Sequence, residues 1–309
     1  MNRNLKIVLN AMIFLLIGGF VWYMVTSINK AEVTYIALHS EADRTFVSAY
    51  EFVTDFILPE EVNRFEYNDE KLFIAAGNNI YVYNANGEKQ TSFAVKPDVR
   101  DIAVEGEVIY VLYPTFIEVY SQQGDSLHQL EACSDLSDYC SLAIAGDFVF
   151  VTDAENKNIC KYTKEGYFVK FIQSPRGFVI PSYSFDIVSR NDTIFCSNAG
   201  RHLVESYTLD GDFIAAFGGP GGESGFFAGC CNPSFLTFTS DGRMLTSEKG
   251  NPRISSYERN GNFGAVLLNS RLLGGGSNAY EMRSIDNLLY VAGKHKISVF
   301  KQKDSLAKI

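Results

Sequence analysis

IYVYNANGE (80–88), IEVYSQQGD (117–125), ICKYTKEGY (159–167), VESYTLDGD (204–212) and ISSYERNGN (254–262) are five versions of one phrase. Each carries a Tyr four residues ahead of a Gly. A sixth version, ISVFKQKDS (297–305), puts Phe300 and Asp304 in the same places. The phrase reads as a hairpin. A short alternating strand runs into a turn that needs a positive φ, which Gly supplies freely and Asp or Asn tolerates. The aromatic residue ahead of the turn is expected to fill space between neighbouring sheets. The turn positions Gly87, Gly124, Gly166, Gly211, Gly261 and Asp304 are spaced by 37, 42, 45, 50 and 43 residues. A repeat near this length, built of short strands, is the signature of propeller blades.

A second strand lies upstream of each phrase: LFIAA (72–76), IYVLY (109–113), FVFVT (148–152), TIFCS (193–197), RMLTS (243–247) and LLYVA (288–292). Tight turns such as VEGEV, IAGDF and TSDGR precede these strands. Innermost strands such as SLAIA (141–145) and SFLTFT (234–239) precede the turns. Each repeat thus holds four strands, a to d from the axis outward, and six repeats predict an all-β, six-bladed propeller. Aromatic residues form 14% of the chain, with 17 Tyr and 24 Phe, enough to fill the cores between blades.

The pieces TDAENKNICKY (152–162), SEKGNPRISSY (247–257) and FGGPGGESGFFAGCCNPSFLTFTSDGRMLTSEKG (217–250) resemble the NHL repeat. The resemblance is specific in blades 3 to 5 and rests on phase in blades 1, 2 and 6. It implies a propeller over about residues 60–309. It fixes no function, because such propellers include protein-binding modules, sensor domains and a few lyases and hydrolases.

Ahead of the repeats, Ile7–Ile28 is a 22-residue run without a charge, preceded by Arg3 and Lys6. That length suits a bilayer core of ~30 Å, and the flanking cations place the N-terminus in the cytoplasm. A cleaved signal peptide, with Val25-Thr26-Ser27 as its site, is the alternative. The expected organisation is a cytoplasmic N-terminus (1–6), a transmembrane signal anchor (7–28), a stalk or pre-blade segment (29–60) and an extracytoplasmic propeller (61–309). In a bacterium that location is the periplasm. Either Val33–Leu38 or Ser305–Ile309 is expected to close the ring as the last outer strand.

Net charge is -9 and the isoelectric point about 5.0, so the basic footprint of a nucleic-acid binder is missing. There is no CxxC, HExxH, Gly-x-Ser-x-Gly or EF-hand pattern. The run GGPGGESG leads into a strand rather than a helix, which argues against a phosphate cradle. Asn191-Asp192-Thr193 fits a glycosylation sequon but reads as an a–b turn. No motif specifies a cofactor.

Topology sorts the remaining residues. The b–c loops and d–a connections emerge on one face of the disc, and the a–b and c–d turns on the other. The first face collects CSDLSDYC (133–140), SPRGFVIPSY (174–183), GGPGGESGFFAGCCNP (218–233) and NSRLLGGGSNA (269–279). Binding is expected there, at Cys133, Cys140, Cys230, Cys231, Asn232, Tyr183, Glu248 and Lys249. Asn232, Ser184, Asp186 and Glu281 fall near the axis, whereas Asp153, Glu155, Glu248 and Lys249 read mainly as a solvated rim. Two readings of the cysteines stay open. One is structural disulfides, with Cys133–Cys140 as a local loop. The other is a redox or metal site, for which Cys140, Cys230 and Cys231 are the candidates. Cys160 and Cys196 lie within strands and read as buried and inert. His39, His128, His202 and His295 share no motif. The function these features favour is a membrane-anchored, extracytoplasmic module that binds a protein or ligand or serves as a scaffold, with a redox role open to the loop cysteines and a protein partner expected at or near the membrane. The alternative is a thiol- or metal-dependent enzyme, or an electron-transfer accessory, working at the channel mouth.

Overall fold

The repeated hairpin forms as its sequence dictates. At Gly124 the N–H donates to Ser121 O at 3.0 Å, and Ser121 N–H donates to Asp125 O at 2.9 Å. Gly124 has φ 93°, and the strand register slips by one residue at Tyr120. This is a tight turn followed by a glycine bulge. The same slip recurs at Tyr83, Tyr162, Tyr207 and Tyr257. The bulge leaves the turn against the outer strand of the preceding blade. A Cβ on Gly124 would lie 2.5 Å from Phe93, and one on Gly261 would lie 2.5 Å from Phe217. Glycine is therefore required twice over, by backbone angle and by the approach of the next sheet.

The structure is a computed structural model that describes residues 10, 12–24, 26, 46, 47, 49–250 and 252–303. The chain divides into two compact units, Met1–Arg44 and Thr45–Ile309. The second unit contains six antiparallel sheets of four strands. Five are consecutive in sequence: blade 1 spans 62–94, blade 2 101–131, blade 3 139–172, blade 4 187–218 and blade 5 235–268. Buried side chains lie between neighbouring sheets, where Tyr162, Tyr207 and Tyr257 are at most 1% exposed.

Blade 6 is composite. Its three inner strands are Met282–Ile285, Leu288–Ala292 and Lys296–Gln302, and its outer strand is Tyr50–Ile57 from the start of the unit. The register runs from Tyr50 opposite Gln302 to Ile57 opposite Lys296. Asp55 fixes it, accepting from Lys296 Nζ at 2.8 Å and Ser298 Oγ at 2.6 Å. Phe56 then sits against Gly87 as Phe93 sits against Gly124, so the closing strand reproduces the contact made by the outer strands of blades 1 to 4. Closure removes the free sheet edges that an open disc would expose. The closing strand is thus neither of the segments expected for it, both of which lie outside the described residues. The propeller also begins ahead of residue 61, within the stretch assigned to the stalk.

In the first unit, residues 12–24 are helical, with Phe14, Leu15, Leu16 and Trp22 more than two-thirds exposed. Only part of the expected span, 7–28, falls within the described residues. No helix of those residues is long and apolar enough to cross a membrane.

Candidate functional site

Each inner strand has one edge without a sheet neighbour, and its N–H groups on that edge need partners. Three acidic side chains supply them across the blade boundaries. Leu142 N–H donates to Asp101 Oδ2 at 3.0 Å, Leu236 N–H to Asp186 Oδ2 at 2.7 Å, and Phe65 N–H to Glu281 Oε2 at 3.1 Å. The acids come from blades 2, 4 and 6 and the amides from blades 3, 5 and 1. The equivalent positions in the amide-donating blades hold Ser141, Phe235 and Arg64, which pair with Thr152, Ser247 and Ala75 in their sheets. The axis is therefore lined by a ring that alternates acid and non-acid.

Ser141 Oγ lies 2.6 Å from Asp101 Oδ2 and 3.0 Å from Asp186 Oδ1. One hydroxyl proton cannot serve two carboxylates, so the arrangement favours an extra proton. Burial, with repulsion from Asp101, pushes the Asp186 carboxyl up to about 7. Burial also raises Glu281 to about 8, although Arg283 Nη2 stands 3.1 Å from its Oε1. Arg283 in turn holds Glu66 at 3.0 Å.

Above the ring, on the face of the long connections, opens a cavity of about 330 Å³. Its walls include Arg64, Cys140, Tyr183, Asp186, Phe235 and Lys249. The Arg64 guanidinium stacks over Phe235 at 5.0 Å, and Lys249 Nζ lies 3.2 Å from Ser184 Oγ. Tyr183 is 57% exposed at the lip, with the Arg100 guanidinium 5.9 Å from its ring. A second cavity of about 310 Å³ opens below the ring, beside Glu66 and Arg283.

The expected residues divide into those at this mouth and those used by the scaffold. Tyr183, Lys249, Cys140, Ser184 and Asp186 line the cavity. Cys140 is buried there, and burial pushes its thiol up to about 12. Asn232 is buried and committed. It donates to Ala228 O at 2.6 Å and Lys249 O at 2.9 Å, and it accepts from Lys249 N–H at 2.9 Å. It clamps the connection entering blade 5 to the b–c turn, and the bond to Pro233 is cis. Glu248 is not a rim charge. It is 2% exposed and paired with Arg253 at 2.6 and 3.0 Å. Asp153 is fully buried, capping its own b–c turn through Asn156 N–H and accepting from Asp138 N–H in the connection that enters blade 3. Glu155 is exposed as expected.

Cys133 lies beside Cys160 rather than Cys140, with the sulfurs 2.7 Å apart. Cys160 is buried, but it is not isolated. Cys196 is buried with its thiol held well above its ordinary range by desolvation. Cys230 is exposed and Cys231 buried, with sulfurs 2.6 Å apart. Against its burial, hydrogen bonding from Cys230 and Ser182 and the nearby Lys249 charge hold the Cys231 thiol below its ordinary value. His39 lies outside the described residues. His128 is exposed on an outer strand, and burial lowers the pKa of His202. The glycine-rich run folds on itself, with Phe227 N–H donating to Gly219 O and Gly221 N–H to Phe227 O.

Arg64, Ser141 and Arg283 were not singled out by sequence. Each is the second residue in the pairing register of an innermost strand, a placement that the blade phase could have flagged.

No protein-family model matches the chain, and no curated protein matches it. Solved structures match in shape. A virginiamycin B lyase from Staphylococcus aureus is similar at a TM-score of 0.60 and 12% identity, over 82% of this chain and 100% of that one. A protein of unknown function from Bacteroides thetaiotaomicron gives 0.63 at 12% identity, over 85% and 74%. The WD40 domain of Neurospora crassa Pan2 gives 0.56 at 11% identity, over 84% and 97%. At these identities the likeness is one of fold alone.

Proposed function

We propose that this chain is a membrane-tethered, extracytoplasmic propeller of the NHL type. Its connection-bearing face docks a protein partner at or near the membrane through a segment carrying a carboxylate. The observation that carries this reading is the upper mouth, where Arg64 and Lys249 flank one cavity. Lys249 reaches a neutral hydroxyl, Ser184, so an incoming carboxylate gains a charge-assisted hydrogen bond without displacing an ion pair. Tyr183 offers an exposed aromatic anchor at the lip, the type of residue that dominates protein interfaces. The tether rests on the uncharged run Ile7–Ile28 behind Arg3 and Lys6, and the NHL type on the sequence of blades 3 to 5. The test places a photoreactive side chain at Tyr183 in the full-length, membrane-embedded protein, with exposed Asn260 on the opposite face as control. A cross-linked partner from position 183 and none from position 260 is expected. Equal or reversed labelling would reject the docking face.

A second reading has its own observation. Cys230 is exposed beside buried Cys231, close to the same mouth, as a thiol redox or metal site would require. Thiol titration and metal content of the Cys230→Ser and Cys231→Ser proteins test it. Unchanged values in both would remove it.

A further inference from the structure

We infer that Cys133 and Cys160 are a redox pair whose disulfide staples the connection between blades 2 and 3 to the body of blade 3. Cys133 follows the outer strand of blade 2, Ser126–Glu131. Cys160 is the third residue of Asn158–Thr163, a strand of blade 3. Their sulfurs stand 2.7 Å apart, and the two sites differ in the way that thiol–disulfide exchange requires. Cys133 is partly exposed, where an oxidant can reach it, and Cys160 has no exposed surface.

The surroundings assign the roles. Tyr139 Oη lies 3.5 Å from Cys133 Sγ and 2.6 Å from Tyr162 Oη. Hydrogen bonding from the Cys160 thiol, then from Tyr139 and Tyr162, brings the Cys133 thiol down to about 6. Cys160 is pushed upward, since it keeps the proton that it shares with Cys133 and is buried besides. Cys133 is therefore the attacking thiolate and Cys160 the resolving thiol.

The exchange balances with a disulfide as oxidant, either oxidised glutathione or the disulfide of an oxidoreductase. Cys133 thiolate attacks one sulfur of the oxidant, forming a mixed disulfide and expelling a thiolate. That thiolate takes the Cys160 proton. Cys160 then attacks Cys133 Sγ, closing the staple and expelling the second half of the oxidant, which takes up a proton from solvent. Two electrons pass from the protein to the oxidant.

Asp153 completes a group of possible metal ligands with the two cysteines, but its carboxylate is occupied. Oδ1 accepts from Asp138 and Asn156 N–H at 3.2 and 3.1 Å, and Oδ2 accepts from the Asn156 side chain at 2.9 Å. The staple would also act on the mouth. The connection it pins runs directly into Tyr139–Ala145, the inner strand that carries Cys140 and Ser141.

The test uses the full-length protein in detergent, reduced and then exposed to oxidised glutathione. Peptide mapping should find the peptides bearing Cys133 and Cys160 joined, with the loss of two hydrogens. Amide exchange across residues 132–138 should slow at least tenfold, by the order of protection that a closed loop confers. Cys160→Ala should trap a stable glutathione adduct on Cys133, whereas Cys133→Ala should leave Cys160 unmodified. Glutathione persisting on Cys133 in the unaltered protein, linkage of Cys133 to Cys140, or zinc retained through dialysis and lost in Cys160→Ala would each overturn the assignment.

Discussion

The two faces of the disc obey different rules. On the turn face the a–b and c–d hairpins are short, and their residues are set by backbone geometry and by the neighbouring blade. On the other face the connections 132–138, 173–186, 219–234 and 269–281 are long and differ from one another. The contrast teaches that in a propeller the repeating face carries stability while the non-repeating face is available for recognition. The division is imperfect, because the connection face also hides buried polar clamps, and these give the strongest ways to break the comparison.

Glu248 is the sharpest case. It sits at the edge of the connection face, yet it is paired with Arg253 and nearly without exposed surface. Glu248→Ala leaves the guanidinium buried without its carboxylate and should cost about 3–5 kcal/mol in urea unfolding. The pair Glu248→Leu with Arg253→Met should recover most of that loss. A cost below about 1 kcal/mol for the single change would mean that the site relaxes to admit water.

A glycine from each face sharpens the rule. Gly124, in a c–d turn, has φ 93° and Phe93 at 2.5 Å from a built Cβ, whereas Gly274, in a connection, has φ 85° and nothing within 4 Å. Both Ala variants incur the left-handed strain of roughly 1 kcal/mol, and Gly124→Ala should cost about 1–2 kcal/mol more through the blade contact. Equal thermal shifts for the two would show that the angle alone selects glycine there.

The axial ring lies between the faces and predicts a pH dependence. The Asp186 carboxyl has an ordinary value of 3.8 and stands at about 7 in the fold. The folded state therefore binds this proton more tightly than the unfolded chain. The contribution is complete below about pH 4 and is lost as pH rises through 7. Asp186→Asn can still accept from Leu236 N–H and can donate to Ser141, so it should flatten stability between pH 5 and 8. The size is about 1–2 kcal/mol, discounted because Asp186 keeps some contact with solvent. A steeper profile in the variant would show that the charged form is the one the ring holds.

Legibility in the sequence follows the range of the interaction. The c–d turns were readable because a positive φ is a local demand that repeats in phase. The closing strand was not, because YEFVTDFI (50–57) pairs with Lys296–Gln302 from the far end of the chain and much of it faces solvent. Glu248 was misread as a rim charge, yet it lies directly opposite Arg253 across the b–c hairpin, a pairing that the strand register makes accessible to sequence. The burial of Cys160 was legible from its place within a strand, but its proximity to Cys133 was not, because Cys133 lies in the connection from another blade and sequence distance favoured Cys140 as its neighbour.

The smallest expected effect on stability falls where the largest effect on binding is expected. Lys249 is partly exposed, among the described residues its ammonium is seen to touch the neutral Ser184 hydroxyl and the nearby Cys231 thiol, and its backbone, not its side chain, is clamped by Asn232. Lys249→Glu should leave the melting temperature within the ~0.5 kcal/mol equivalent of a surface change. It should also reverse the charge offered to a carboxylate at the mouth and abolish cross-linking from position 183. Lys249→Met removes the charge while keeping the stem, so it should weaken capture rather than abolish it, and raised salt should weaken capture by the unaltered protein in the same direction. If Lys249→Glu retains the partner, the cavity is not where the carboxylate docks. If it lowers the melting temperature by several degrees, Lys249 belongs with Asn232 and Glu248 among the clamps, and the division between the two faces fails at the mouth itself.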